Sequence, residues 1–488
     1  MPAPGVVVTT AVRSGPAGTP RADSGQFFVI GLAERGPTVE PARLNSMGDY
    51  RRLFGERITY GSLFDSLALF FETGGAQAHV LRVVGPAATV GFVNGLDGAG
   101  VPLATVRIDA ASAGSWSSQI TVQFSLGTNG VGTRRVTVRL AGVVVEEYDS
   151  LTNVASIVTR FSRSPYVRFT DLGSATLAPN NMPTAAAPLT LSAGTDDRAA
   201  VTTTVLTAAL EKLKIGLGDG AVAAPGYGET MHPALIAHAR AHRRIALLSD
   251  TLGSTTQDLI DASLLMQNVA GAEFAGLFGP WVLVSDGVGG TRPVSPEGYV
   301  AAARNKAHEA VGPWLPAAGA LSVSTYVVGL ERDFSRADHD RLDAARVSPI
   351  RVVANQIRLY GWRSLSGADA DYGSLAVGDL LNRIVTEAEL ALEPFVFRTI
   401  DGRGQIFPQI EGVLIGLLEP IRNAGGIYER VVDGQTLDVG YTVDVGPNLN
   451  TVDSLANNEV RAAIAARFSP NAAYITLTIV KVGLSAGV

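Results

Sequence analysis

The feature that most constrains this chain is a change of rhythm that begins near residue 86 and reverses near residue 190. Before it, Phe27-Phe28-Val29-Ile30-Gly31-Leu32 reads as a buried strand. Ser46-Met47-Gly48-Asp49 is a capping-box-like start for a short helix ending near Phe54-Gly55. Leu63, Phe64, Leu67, Leu69, Phe70 and Phe71 make an apolar helix that Gly74-Gly75 stops, and 79–84 is the next strand. Strand, helix, strand in that order is an α/β unit. Between 86 and 190 the pattern becomes short alternating strands at 105–108, 120–124, 135–140, 143–148 and 166–169, with one helix near 154–161. That is sandwich or barrel texture. The α/β alternation then resumes, with a helix at 201–214, a strand at 221–224, a helix at 233–242 and a strand at 245–248, and continues to about 365.

A pattern that is broken and then resumes implies two flanks folding together around an insertion. The expected fold class is multidomain, α/β and α+β, with extended arms at both ends. The expected organisation is an extended arm at 1–25, an α/β core from 26–85 and 191–375, and an inserted β-sandwich-like domain at 86–190. An α+β C-terminal domain at 376–473 and a terminal strand or arm at 474–488 follow. In the C-terminal domain one amphipathic helix carries Leu380, Leu381, Ile384, Val385, Ala388 and Leu392. A second carries Ile410, Val413, Leu414, Leu417, Leu418 and Ile421 and stops at Gly425-Gly426. A hairpin is expected between 428–432 and 436–445 around Asp433-Gly434, then a helix at 452–468 and a strand at 474–482.

Composition narrows the function classes. At 488 residues, with 46% hydrophobic and 17% charged, the chain has ample material for several packed cores. It has no cysteine, which removes disulfides, thiolate catalysis and Cys-ligated metals together. The formal net charge of −6 argues against a broad nucleic-acid footprint, and lysine occurs only at 212, 214, 306 and 481. No apolar run approaches the roughly 18 residues of a membrane span, so no membrane insertion is expected. The first residues carry no pattern of a secretory signal.

Several landmarks, in order, resemble the tail sheath family of contractile phages and phage-tail-like injection systems. They are Pro4-Gly5-Val6, then Val29-Ile30-Gly31-Leu32-Ala33-Glu34-Arg35-Gly36-Pro37, Leu53-Phe54-Gly55, and Phe70-Phe71-Glu72-Thr73-Gly74-Gly75. Further on come 191–197, where Ala193 and Asp197 depart from a Leu-x-Gly-Gly-x-Asp-Gly pattern, then 232–248, Gly361-Trp362-Arg363-Ser364-Leu365, Tyr441-Thr442-Val443 and Asn450-Thr451. The resemblance implies a subtilisin-like α/β core without a catalytic triad, an outward variable insertion and a tube-facing C-terminal domain. It implies a subunit that polymerises with itself around an inner tube and meets baseplate and tail-terminator or cap proteins, in a particle assembled in the bacterial cytoplasm.

The alternative from another class is a degenerate subtilisin-like hydrolase with a β-sandwich binding domain. The six histidines, His79, His232, His238, His242, His308 and His339, lie in no protease-like context. His238 and His242 have the four-residue spacing of two-histidine metal sites, but Arg240, Arg243 and Arg244 crowd the same helix end. His308-Glu309 is followed by Gly312 where a zincin needs its second histidine. Gly216-Leu217-Gly218-Asp219-Gly220 leads into a strand and not a helix, so it reads as a turn. No enzyme activity, cofactor or metal is expected.

Two kinds of assembly segment follow. Val6, Val7, Val8, Thr9 and Thr10, behind the Gly/Pro hinge at 14–20, form one inter-subunit strand; Ile475, Leu477, Ile479 and Val480 form another, whose alternative is to complete the sheet of its own domain. Glu387, Glu389 and Glu393 on the first C-terminal helix are candidate contacts to a basic tube surface, although an ordinary solvated helix face accounts for the same charges.

Overall fold

The computed structural model describes residues 24–367, 372–400 and 402–472. They fall into two compact units. Among described residues, one holds 24–309 and 317–378; the other holds 310–316 and 379–472.

The larger unit is organised by an eight-stranded sheet. Six strands are parallel, in spatial order Ala78–Arg82, Phe27–Gly31, Gly220–Ala223, Arg244–Ser249, Ala275–Gly279 and Val347–Val353. Antiparallel strands Ala42–Leu44 and Gln356–Leu359 close its two edges. Numbered along the chain, the parallel strands run 2-1-3-4-5-6, a doubly wound order with helices on both faces. On one face Phe28, Ile30, Leu81, Val222, Ala246, Leu248 and Leu277 share a core with the helices Thr203–Leu210, His232–His242, Thr256–Met266 and Arg336–Ala344. On the other, Phe27 packs its ring 5.1 Å from Phe70 of the helix Leu63–Thr73. The strand Phe27–Gly31 is buried throughout, as its unbroken apolar run requires.

The short helix Met47–Phe54 starts where the capping signal placed it. Ser46 Oγ accepts from the Asp49 N–H, and the Asp49 carboxylate accepts from the Asn45 N–H.

Residues 92–190 form two antiparallel sheets around a core of their own. Four strands run in the order Leu189–Thr190, Ile120–Gly127, Gly130–Leu140, Val143–Leu151. Three run Phe92–Leu96, Ala104–Ala110, Val167–Asp171. Val106 and Phe169 of one sheet meet Val122, Phe124 and Val138 of the other, with Ile157 and Phe161 added by the helix Val154–Arg160 and its C-cap.

The two passages joining this part to the parallel sheet are stitched to each other. Thr89 and Thr195 exchange backbone hydrogen bonds of 2.8 and 3.0 Å, and Gly85 N–H donates to Asp196 O at 2.9 Å. Asp197 sits in the left-handed region at φ 49°, and its carboxylate accepts from Ala87 N–H at 2.8 Å. A glycine would suit that backbone; aspartate tolerates it and adds a bond. Next to the stitch lies Arg82, almost wholly buried, whose Nε donates to Ala33 O at 2.9 Å and Nη1 to Ala113 O at 2.6 Å. Arg35 places its guanidinium 5.6 Å from the Trp116 ring and 5.4 Å from that of Tyr166.

The smaller unit packs the helix Ile406–Asn423 against residues 379–392 of the helix Leu375–Leu392. Leu380 and Ile384 meet Leu418 and Ile421, while Ala388 and Leu392 meet Ile406 and Ile410, so the two run antiparallel. Trp314 joins this core from 310–316, a segment whose membership in this unit nothing in its local sequence marks.

Two expectations fail here. The helix expected at 452–468 is only Val452–Ala456; Asn458 turns at φ 59° and the chain continues as the strand Ala463–Ala466. The expected hairpin is split. Arg430–Val432 pairs with Gln435–Asp438 across Asp433 and Gly434, both at positive φ as that turn demands. Gly440 then breaks the second strand, because any Cβ there would lie 2.3 Å from Tyr428 O, and Tyr441–Asp444 pairs instead with Ala463–Ala466.

Replacing Arg82 with methionine removes both carbonyl contacts at the stitched junction. The expected result is a loss of about 3 kcal/mol of stability, at roughly 1.5 kcal/mol for each charge-assisted bond. Denaturant unfolding measures it, and limited proteolysis should begin at 85–91 and 191–197.

Candidate functional site

In an open α/β sheet, ligands bind beyond the carboxyl ends of the strands. At that end the strand Arg244–Ser249 stops beside the first residues of two helices, His232 and Glu297. Ser249, His232 and Glu297 are all buried, at 2%, 1% and 2% exposure. Their order of bonding is the wrong one for catalysis. Ser249 Oγ donates to Glu297 Oε1 at 2.6 Å, and His232 Nε2 donates to the Ser249 carbonyl at 2.9 Å. A nucleophilic serine needs an imidazole lone pair at its hydroxyl and an approach for substrate. Here the imidazole gives its N–H to a backbone oxygen, and the hydroxyl proton faces a carboxylate. Burial lowers the His232 pKa and raises that of Glu297. The trio is a polar lock tying two helix starts to a strand end.

Glu211, His238 and His242 also converge, with potential ligand atoms within 4.8 Å of one another. Arg244 decides what they are. Its Nη1 lies 2.8 Å from His238 Nε2, which therefore accepts, and its guanidinium sits 3.6 Å over the Phe28 ring. A fixed cation bonded to the lone pair that a metal would use opposes a second cation there. Burial, then the Arg244 charge, pushes His238 down to about 3. The His79 ring stacks on Phe28 at 5.0 Å, and burial followed by Arg244 lowers it to about 4. The glycines at 216–220 span the short turn Ile215–Leu217 and enter the strand Gly220–Ala223, as expected of a turn and not a phosphate loop.

The assembly residues fall in two places. Val6, Val7, Val8, Thr9, Thr10, Ile475, Leu477, Ile479 and Val480 lie outside the described residues. Glu387 is half-buried and pairs with Arg383 at 2.6 Å, so its charge is locally compensated. Glu389 and Glu393 are exposed, four residues apart, with Glu393 opening the short turn that follows the helix.

No family model matches the chain, and no curated protein matches it. Solved structures do. The sheath tail protein of Listeria innocua superposes with a TM-score of 0.62 at 14% identity, covering 88% of this chain and 90% of that one. The sheath tail protein of Desulfitobacterium hafniense gives 0.58 at 15%, covering 90% and 93%. The anti-feeding prophage helical sheath in its contracted state gives 0.57 at 14%, covering 99% of both chains. The chain has the tail-sheath fold.

Within that fold the Ser249 lock is invisible to motif reading, because its other members are 17 and 48 residues away and none lies in a recognisable pattern. A signal exists only in the position of Glu297, an acid opening an otherwise apolar helix start.

The neutral histidines predict a pH dependence. With folded values near 4 and 3 for His79 and His238 against about 6.5 unfolded, the unfolded chain binds more protons between these limits. Their contribution is therefore complete above pH 6.5 and is lost as pH falls towards 3. The melting temperature should drop between about pH 6.5 and 4.5, and His238→Gln should flatten that slope. A slope unchanged in the variant would remove His238 from the account.

Proposed function

We propose that this chain is the structural subunit of a contractile tail sheath. It polymerises into a helical sleeve around an inner tube, and rigid-body rearrangement of subunits drives the tube through a target envelope. The observation that carries this reading is a fold likeness extending over 99% of the chain and 99% of a contracted helical sheath. Its partners are copies of itself, an inner tube protein, a baseplate, and a tail-terminator or cap protein. Its place is a virion tail or phage-tail-like particle assembled in the bacterial cytoplasm.

The role is mechanical and not enzymatic. The bonding of Ser249, His232 and Glu297 withholds the catalytic arrangement that a degenerate hydrolase would need. Without nucleotide chemistry, the work of contraction comes from a trapped extended packing relaxing to a lower-energy one. The α/β core is the scaffold; its parallel, helix-covered sheet supports the subtilisin-like description as far as layering goes. The part at 86–190 is the outward insertion and 376–473 the tube-facing domain, as the sequence boundaries have it.

Each arm adds a strand to a neighbour's sheet, so that main-chain hydrogen bonds make the link with little demand on side chains. Head-to-tail links of that kind propagate as an open helix. The Gly/Pro hinge at 14–20 lets the body rotate while the link holds. Deleting residues 1–12 should leave a folded subunit that forms no long sleeves by negative-stain microscopy; normal sleeves would sink the arm assignment.

Tube contact is assigned to Glu387, Glu389 and Glu393, the last two exposed and the first half-buried beside Arg383. Neutralising all three should weaken co-sedimentation with tubes several-fold at low salt. Equal co-assembly of the Glu387→Gln/Glu389→Gln/Glu393→Gln variant would remove this charge from the interface.

A further inference from the structure

The β-rich part carries a groove of about 910 Å³, bounded by the edge strand Val143–Leu151 and the helix Val154–Arg160. That volume is within the range of small-ligand sites, roughly 300–1,000 Å³. Tyr148 in its lining is fixed edge-to-face on the buried Phe161, with centroids 4.9 Å apart at 82°. Arg160 lies over the Tyr148 ring, its guanidinium carbon 4.4 Å from the centroid, so this cation is pre-positioned.

Charge is distributed unequally between the two walls. On the strand wall the acids are already engaged. Asp149 accepts from Arg135 at 2.7 Å, from Ser150 N–H at 2.6 Å and from Thr128. The Thr128 and Arg135 bonds above all hold its pKa well below the usual carboxylate range. Glu147 accepts from the Thr137 hydroxyl at 2.8 Å and lies 4.0 Å from Nε of the same Arg135, which both acids share. On the helix wall Arg160 and Arg163 are exposed, and no carboxylate among the described residues lies within ion-pair distance of either. In a chain of net charge −6, two uncompensated guanidiniums in one groove make a local preference for anions. Beside them Asn153 uses its Oδ1 to cap the helix, which leaves its amide N–H groups for another acceptor, and the Thr159 side chain is exposed. Guanidiniums, planar and bidentate, suit carboxylates as they do phosphates, and the neighbouring amide and hydroxyl add a preference for a ligand that also carries hydroxyls, which an acidic sugar does and a polyphosphate does not.

We propose that this groove binds an acidic saccharide, a sugar chain bearing carboxylates, with Arg160 and Arg163 taking the carboxylates and Asn153 and Thr159 the ring hydroxyls. The site stands on its own geometry, independently of the sheath reading. Where that reading holds, the insertion gains a recognition role on the particle's exterior.

Calorimetric titration of the full-length chain with a hexameric oligo-guluronate tests it, with maltohexaose and a linear polyphosphate of similar length as comparison probes. The uronate should bind, and each comparison probe should bind at least about tenfold more weakly, a difference of roughly 1.4 kcal/mol. The Arg160→Gln/Arg163→Gln variant should lose at least about tenfold in uronate affinity while remaining folded, with a melting temperature lowered only by the loss of the Arg160–Tyr148 contact, and Thr159→Val should lose less. No uronate binding, or equal uronate binding by the double variant, overturns the site. Equal binding of polyphosphate reduces it to a general anion patch and overturns the saccharide assignment.

Discussion

The parallel pairing of Phe27, Phe28 and Val29 with Ala221, Val222 and Ala223 is the contact on which the rest of the larger unit depends. The same strand pairs on its other side with Ala78–Arg82, so its backbone is satisfied only when both neighbours are present. One neighbour is local; the other lies beyond the whole β-rich insertion. Closing so long a connection carries an entropic cost that grows slowly with length, about 0.6 kcal/mol per doubling. The stitch between Thr89 and Thr195 shortens the effective link further, because the insertion has its own core and returns its two ends to adjacent positions. An insertion with stitched ends burdens the sheet little, and the position can accept a domain of different size.

Element types were legible in the sequence wherever burial imposed a clear period. The run Phe27–Gly31, the capped helix Met47–Phe54 and the alternating strands at 120–140 all follow from local pattern, and so does the return to α/β texture after 190. What failed was decided by contacts distant in sequence. Residues 452–468 read as one helix because alanines and an apolar spacing permit it, yet Ile464 and Ala466 become partly buried by crossing to Tyr441 and Val443. The break at Gly440 depends on the approach of Tyr428 O, which no local pattern announces. Trp314 lies in a Gly/Pro-flanked segment that looks like a loop and is part of a helical core. The Ser249 lock shows the same limit for chemistry: three suitable residue types are brought together, and only their hydrogen-bond directions distinguish them from a nucleophile–base pair.

The sheet end that serves many α/β proteins as a ligand site is thus closed here by a buried polar lock, and the His238 cluster is closed to metal by Arg244. A fold supplies positions, and the side chains at them determine use. In this chain those positions tie helix starts to strand ends inside the larger unit. The exposed chemistry lies elsewhere, on the C-terminal helix and in the groove of the insertion.

Cryo-electron microscopy of the purified full-length chain is the most direct measurement of the central claim. Hollow helical sleeves, with each subunit contacting several copies of itself, are the predicted result. A monodisperse monomer that forms no sleeves, alone or with a tube protein supplied, would contradict it.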